Sequence, residues 1–419
     1  MIVKLLKNNE SSIFYMLCLF FFISLIFSIK LNNLAIGLIL LYFLFRENMY
    51  KNFKFKIINP FFIIYLFYGL CVLFSLVYSS NLEQGVKLLE RNASLALLPF
   101  ILVTNYDLIT KSALQKIMNI FSCVIFAVML ASIVYCLYKS DYIFSISTFY
   151  RDNLIQLTHI HSPYLALFIS FVGLWLVNII TDHLISRNYR ELYLYIPFYL
   201  LSIFFNLLLA TRITLLGLLF ISFLLLIIKL KKIKLSIIFL IGATMLVLIS
   251  FKMMPTLFTR YTEIIETSLN PPLGDNHNSV NMRVAHWQCA VELISEDYFT
   301  FFFGTGIGDT QDLMNLCYKS HGWSWVLYEY NYNCHSQILQ TFLGQGVIGF
   351  LLYMLLFLYP IYYSIKHKMY FVLSFYLLFF ICSATESTFN NQKGVVFFAF
   401  FSAIFMSYIV NYIKSKKVE

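Results

Sequence analysis

The chain has 419 residues, of which 60% are hydrophobic, 19% aromatic and only 12% charged. A soluble globular chain carries about 25% charged residues, so the composition excludes an ordinary soluble domain. The formal net charge of +10 calls for no nucleic acid, because the cations and anions divide between two sides of a membrane.

Apolar residues come in blocks close to the ~17–25 residues that a membrane-spanning helix needs. A bilayer offers no water to stray backbone groups, so such blocks are expected to be helices. In chain order they are residues 12–29, 31–45, 57–78, 92–105, 114–138, 159–180, 192–210, 213–228, 235–251, 336–363, 369–385 and 394–413. The first has the basic start of a signal peptide but no A-x-A-like cleavage site, and reads as an uncleaved helix. Leu192–Ile228 is one apolar run with a single charge, Arg212. As a straight helix it would reach ~55 Å at ~1.5 Å per residue, against a hydrocarbon core of ~30 Å. Two crossings with a turn near Arg212 fit better.

The expected fold is therefore an all-α membrane protein of about 12 transmembrane helices with one large, partly helical extracytoplasmic loop. Residues 1–251 hold nine helices, 252–335 the loop, and 336–419 the last three. Threading the chain this way puts 19 of the 30 Lys and Arg on the side of the termini, which the positive-inside rule assigns to the cytoplasm. The Gly304–Gly308 run follows no βαβ strand and is no nucleotide loop. It reads as a turn, with Asp309 capping a helix over Thr310–Tyr318. Arg283–Glu296 reads as an amphipathic helix with Val284, Trp287, Ala290, Val291 and Ile294 on one face. Cys289, Cys317 and Cys334 permit one disulfide in an oxidising compartment, with the pair left open. There is no CxxC, no zinc spacing and no D-x-D pair, so no metal or cofactor is expected.

Several polar residues sit where apolar surroundings or electrostatics do not favour them. Arg212 lies on the outer side, which the charge rule disfavours; it is either a snorkelling charge or a partner for an anion, since a guanidinium binds phosphate bidentately. Arg283 opens the amphipathic helix, where a cation opposes the helix dipole. It is an ordinary loop residue or a second anion ligand. His335 stands at the joint between the loop and the tenth helix, and neutral imidazole is available there as a base. His159 and His161 precede the helix start Ser162-Pro163; two apart, they share no helix face and support no metal pair. Glu90 and Arg91 flank the fourth helix as an ion pair or a lipid-headgroup contact. Glu386 has an apolar context, and Lys393 is its candidate partner.

Taken in order, these stretches resemble the O-antigen ligase family, which includes related polysaccharide polymerases. The matching elements are Thr211-Arg212 between two apolar helices, Arg283-x-x-x-Trp287, Gly304-Thr305-Gly306-Ile307-Gly308-Asp309, and His335-Ser336-Gln337 running on to Gly344-Gln345-Gly346-Val347-Ile348-Gly349. His161-Ser162-Pro163-Tyr164 also looks like a family element. The sequence departs from the family at Ser336, where Asn is common, and at Gln345, where an acidic residue is common. The resemblance implies an inverting, metal-independent glycosyltransferase at the periplasmic face of a bacterial inner membrane. It would move a glycan from a polyprenyl (undecaprenyl) diphosphate carrier to an acceptor sugar hydroxyl, such as lipid A-core in lipopolysaccharide biosynthesis. Arg212 and Arg283 would hold the diphosphate and His335 would be the general base, with His159, His161, Tyr164 and Arg91 as further substrate contacts. A polymerase with the same donor is the alternative. A transporter or flippase of lipid-linked sugar fits less well, because it would place charges near the midplane or show repeated, broken helices.

Overall fold

The structure is a computed structural model and describes residues 10–46, 59–140, 146–253, 258, 259, 262 and 269–418. Expectations resting on Lys4, Lys7, Lys51, Lys54 and Lys56, and on loop positions 254–257, 260, 261 and 263–268, lie outside the described residues. Among the described residues the chain is all-helical, with no strand. The apolar blocks fall on α1 (Glu10–Phe27), α2 (Ile29–Leu44), α3 (Pro60–Ser75), α4 (Leu82–Thr104), α5 (Lys111–Lys139), α6 (Ser162–Ser186), α7 (Leu192–Leu208), α8 (Arg212–Leu230) and α9 (Ile233–Met253). Loop helices α10 (Asn281–Ser295), α11 (Tyr298–Phe303) and α12 (Thr310–Ser320) follow, then α13 (Gln337–Lys366), α14 (Tyr370–Ser383) and α15 (Gln392–Val418).

Eight of these, α1, α5 to α9, α13 and α15, are long and apolar enough to cross a membrane, against about twelve expected. This fits a multi-pass membrane protein. The helices α2, α3 and α14 are apolar but only 14–16 residues long. The fourth apolar block starts ten residues earlier than its hydropathy suggests, because Asn81 caps α4 through Gln84 N at 3.1 Å. Its added turns carry Glu83, Lys87, Glu90 and Arg91, so α4 is amphipathic. The apolar run through Arg212 does divide, with α7 ending at Leu208 and α8 beginning at Arg212.

The helices α6 and α15 are apolar all round and form the buried centre, as a helix with no polar face must. Phenylalanines fill the space between them and α5 and α14; the Phe171 ring lies 4.8 Å from Phe401 and 5.5 Å from Phe371. Lipid tails are as apolar as these side chains, so close packing rather than escape from water holds such helices together. Each aromatic pair adds roughly 0.5–1.5 kcal/mol. At one end of the bundle Arg46 reaches Asp107 at 2.6 Å and Glu10 at 3.0 Å, and Lys414 donates to the Tyr106 hydroxyl at 2.8 Å. These contacts tie the matching ends of α1, α2, α4 and α15.

The opposite end is organised by a break in α13. Gly346 has φ 64° and ψ −168°, outside the helical region. The break releases carbonyls that a continuous helix would satisfy, and the loop supplies donors: Thr305 N to Leu343 O at 2.8 Å and Gly306 N to Gly344 O at 3.1 Å. The glycine run is thus a clamp on α13 as well as a turn. Asp309 does not cap α12, which has no side-chain cap. Its carboxylate instead accepts from Ser80 N at 2.8 Å and Asn81 N at 2.7 Å, pinning the loop to the turn between α3 and α4. The backbone of α11 presses so closely on the break that a Cβ on Gly346 would lie 2.3 Å from the Phe302 carbonyl.

Gly346→Ala is therefore expected to destabilise the protein, by at least ~1–3 kcal/mol from the left-handed backbone alone, read as a fall in melting temperature in detergent. Gly242→Ala, where nothing lies within 4 Å of the new methyl group, should be neutral or stabilising by up to ~1 kcal/mol. Equal melting temperatures for the two variants would show that the break is not held by this contact.

Candidate active site

The segment Asn333–Gln337 enters α13 and is stitched to Ala384–Asn391, the connection between α14 and α15. Gln337 N donates to Glu386 O at 3.1 Å, and Phe389 N donates to the Gln337 side-chain oxygen at 2.7 Å. The Asn333 side-chain oxygen accepts from both His335 N and the Ser387 hydroxyl, each at 2.9 Å. His335 itself has φ 42°, a conformation that non-glycine residues seldom adopt and that neighbours must enforce. Ser336 is the N-cap of α13 and accepts from Leu339 N at 3.4 Å.

Glu386 is the hub. Its side chain is only 10% exposed, with Arg283 Nη2 3.0 Å from Oε1 and His335 Nδ1 3.6 Å from Oε2. Burial pushes its carboxyl group up, but His335, Arg283 and His161 outweigh burial and bring it below the usual carboxylate range. The expected partner, Lys393, is engaged elsewhere, donating to Ile26 O at 2.7 Å. A buried carboxylate takes the cations that the fold brings to it, whatever their distance along the chain.

Ser279 joins the two arginines. Its carbonyl accepts from Arg283 Nη1 at 2.8 Å and its hydroxyl from Arg212 Nη2 at 3.2 Å. Arg212, Ser279, Arg283, Glu386 and His335 thus form one connected set. His335 Nδ1 has the Glu386 carboxylate as its neighbour at 3.6 Å, whereas Arg283 Nε is buried without a hydrogen-bond partner, which in a native structure calls for an explanation such as a ligand.

His286 was not singled out by sequence reasoning, although it sits three residues after Arg283 and therefore beside it on a helix. Its ring stacks on His335 at 5.0 Å and 19°. The Tyr318 hydroxyl has one proton and gives it to the Tyr332 carbonyl at 3.1 Å. Its 2.9 Å contact with His286 Nδ1 therefore has the imidazole N–H as donor. Burial first, then the charges of His335 and Arg283, hold the His286 pKa well below the ordinary histidine value. His286 is a neutral platform beneath His335. The expected face of this helix is also rotated: Met282, Ala285, His286, Cys289, Ala290 and Ile294 are buried, while Trp287 and Val291 are exposed.

The remaining candidates divide. His161, at the N-cap of α6, is close enough to Glu386 and His335 to feel both charges; burial, the larger effect, lowers its pKa. Tyr164 is buried and donates to Ser387 O at 3.4 Å, and Arg91 donates to Asn390 O at 3.1 Å. Both brace the connection that carries Glu386. His159 is exposed with φ 50°, and no described contact joins it to the cluster. Among the three loop cysteines the disulfide joins Cys289 and Cys317, and Cys334 is free and buried. Glu292 and His321 lie beside that disulfide, all four potential ligand atoms falling within 4.8 Å of one another. The disulfide leaves no thiolate there, and His321 Nε2 pairs with Glu292 at 2.7 Å.

Residues 197–354 match the family model described as O-antigen ligase. The match supports placing the chain in the O-antigen ligase family. It spans Arg212, Arg283 and His335 and ends inside α13, so Glu386 lies outside the matched segment. The match supports a function of the O-antigen ligase or polymerase-related kind. No curated protein matches the chain.

Because the Glu386 pKa is lowered on folding, its ion pairs contribute stability above the unfolded carboxyl value of about 4.3, and that contribution is lost as pH falls through the folded value. Glu386→Gln is expected to cost about 3 kcal/mol at pH 7. The gap in melting temperature from the unsubstituted protein should close as the pH is taken below about 4; a gap independent of pH would remove the charge from the account.

Proposed function

We propose that the protein transfers a glycan from a polyprenyl diphosphate carrier to an acceptor sugar hydroxyl, as a ligase working on the periplasmic face of the inner membrane. The observation that carries this reading is the connected set of two guanidiniums, a buried carboxylate and a histidine in a chain whose central segment matches the O-antigen ligase family. Glu386 faces His335 Nδ1 and so favours the proton there, leaving the Nε2 lone pair to take the proton of the acceptor hydroxyl. The acceptor oxygen then attacks the anomeric carbon. The bond from that carbon to the phosphate oxygen breaks, the electron pair leaves with the diphosphate, and direct displacement inverts the anomeric centre. Arg212 and Arg283 stabilise the charge that develops on the leaving group, a task that a divalent cation performs elsewhere.

Arg283 is held by Glu386 and Ser279. A diphosphate offers a stronger anion and supplies an acceptor for the unpartnered Nε. Glu386 then has His335 as its remaining partner, and stabilises the imidazolium as it forms. Arg212, at the first residue of α8, is carried into reach by the turn between α7 and α8.

In a knockout strain complemented with variants, His335→Ala is expected to lower transfer by about 10²–10⁴-fold. Arg212→Ala and Arg283→Ala should weaken use of the donor. Gels of surface glycan separate the outcomes. Long carrier-linked chains without attachment support a ligase, and single-repeat products indicate a polymerase. Full activity in His335→Ala overturns the general-base assignment.

A further inference from the structure

The loop reads as hydrophilic in sequence, yet α11 consists of Tyr298, Phe299, Thr300, Phe301, Phe302 and Phe303. Tyr298 is 87% exposed, Phe299 55% and Phe302 48%. Left in water, such side chains forgo about 25 cal/mol for every Å² of apolar surface. The helix is not a loose excursion. Asp297 caps it through Thr300 N at 2.9 Å, and its backbone is seated on the break at Gly346.

The break also sets its depth. The part of α13 beyond Gly346, residues 347–366, rises ~30 Å at ~1.5 Å per residue, the thickness of the hydrocarbon core. One side of that part, Ile348, Leu351, Leu355, Leu358, Tyr362 and Ile365, is exposed at helical three- and four-residue spacing, as a lipid-facing stripe would be. The stripe begins two residues after the break. On the neighbouring α3, Leu70, Leu73 and Phe74 are exposed, as is Val77 just beyond it, and the Tyr78 ring meets Phe299 edge-on at 5.5 Å. The aromatic surface of α11 is therefore continuous with two lipid-facing surfaces at the level where the hydrocarbon ends.

We infer that α11 is an interfacial anchor, with Tyr298, Phe299 and Phe302 lodged among the lipid headgroups and upper acyl carbons. Aromatic side chains favour that zone. The anchor ties the loop down onto the bilayer. His335, eleven residues before the break, is thereby kept within ~20 Å of the hydrocarbon surface, taking ~1.5 Å per helical residue and ~3.5 Å per extended one. The inference stands on the membrane-spanning character of the helices and does not depend on the proposed reaction.

The test uses the full chain in phosphatidylcholine nanodiscs, with Phe302→Trp and Tyr298→Trp as separate variants and the unsubstituted protein as the fluorescence blank. Lipid brominated near the top of the acyl chain is expected to reduce the added emission about twofold or more, with weak quenching by acrylamide, as for an interfacial residue. Strong acrylamide quenching with no effect of bromine in both variants would put α11 in water and overturn the anchor. Insensitivity to both quenchers, together with a dimer by light scattering, would overturn it in favour of a second copy covering the patch. Should one variant fail to fold, the other still decides, since Tyr298 is almost fully exposed.

Discussion

A helix that breaks beside a bilayer must have its freed backbone groups answered by protein, because lipid answers none of them. The break in α13 meets that demand with the glycine run of the loop: Thr305 and Gly306 donate to Leu343 and Gly344. Much of this end of the bundle depends on this exchange. It draws the loop across α13, seats α11 on Gly346, and carries Asp309 to the turn before α4. Glycine is needed where the two backbones meet, since Gly304 and Gly346 leave no room for a Cβ.

A second constraint acts beside the first. A buried carboxylate is tolerable only when paired and hydrogen-bonded, and Glu386 is met by Arg283 and His335, from distant parts of the chain. The connection carrying it is braced by Tyr164 from α6, Arg91 from α4 and Gln337 from α13. The surroundings of His335 are therefore set by three helices of the bundle. The loop contributes Arg283 and His286 from a helix stapled to α12 by the Cys289–Cys317 disulfide, and Ser279 from just before that helix. Such bracing is what a reaction relying on positioning and fixed charge requires.

The sequence made Arg212, Arg283 and His335 legible because each departs from a local expectation: a cation on the disfavoured side, a cation at a helix start, an imidazole at a membrane joint. The structure links all three through Ser279 and Glu386. Glu386 itself is visible as a charge in an apolar context, and proximity along the chain points to Lys393, seven residues away. Arg283 lies 103 positions before it and is the residue that binds. The amphipathic helix was legible as a helix, while its buried face was rotated, because His286 and Cys289 are polar by composition and buried by their partners Tyr318 and Cys317. Asp309 beside a helix start has the form of a cap, yet two backbone amides from before α4 claim its carboxylate.

What the sequence by itself determined is the set of properties that act locally along the chain. Apolar blocks become helices because a bilayer demands internal hydrogen bonds, and the run through Arg212 divides because it is too long for one crossing. What only the tertiary structure decided is which distant groups answer one another. The choice of Cys317 over Cys334 for Cys289, of Arg283 and His335 for Glu386, and of Thr305 and Gly306 for the broken end of α13 are all of this kind. Each depends on short-range forces between residues that no periodicity relates, so each exists only once the helices have packed.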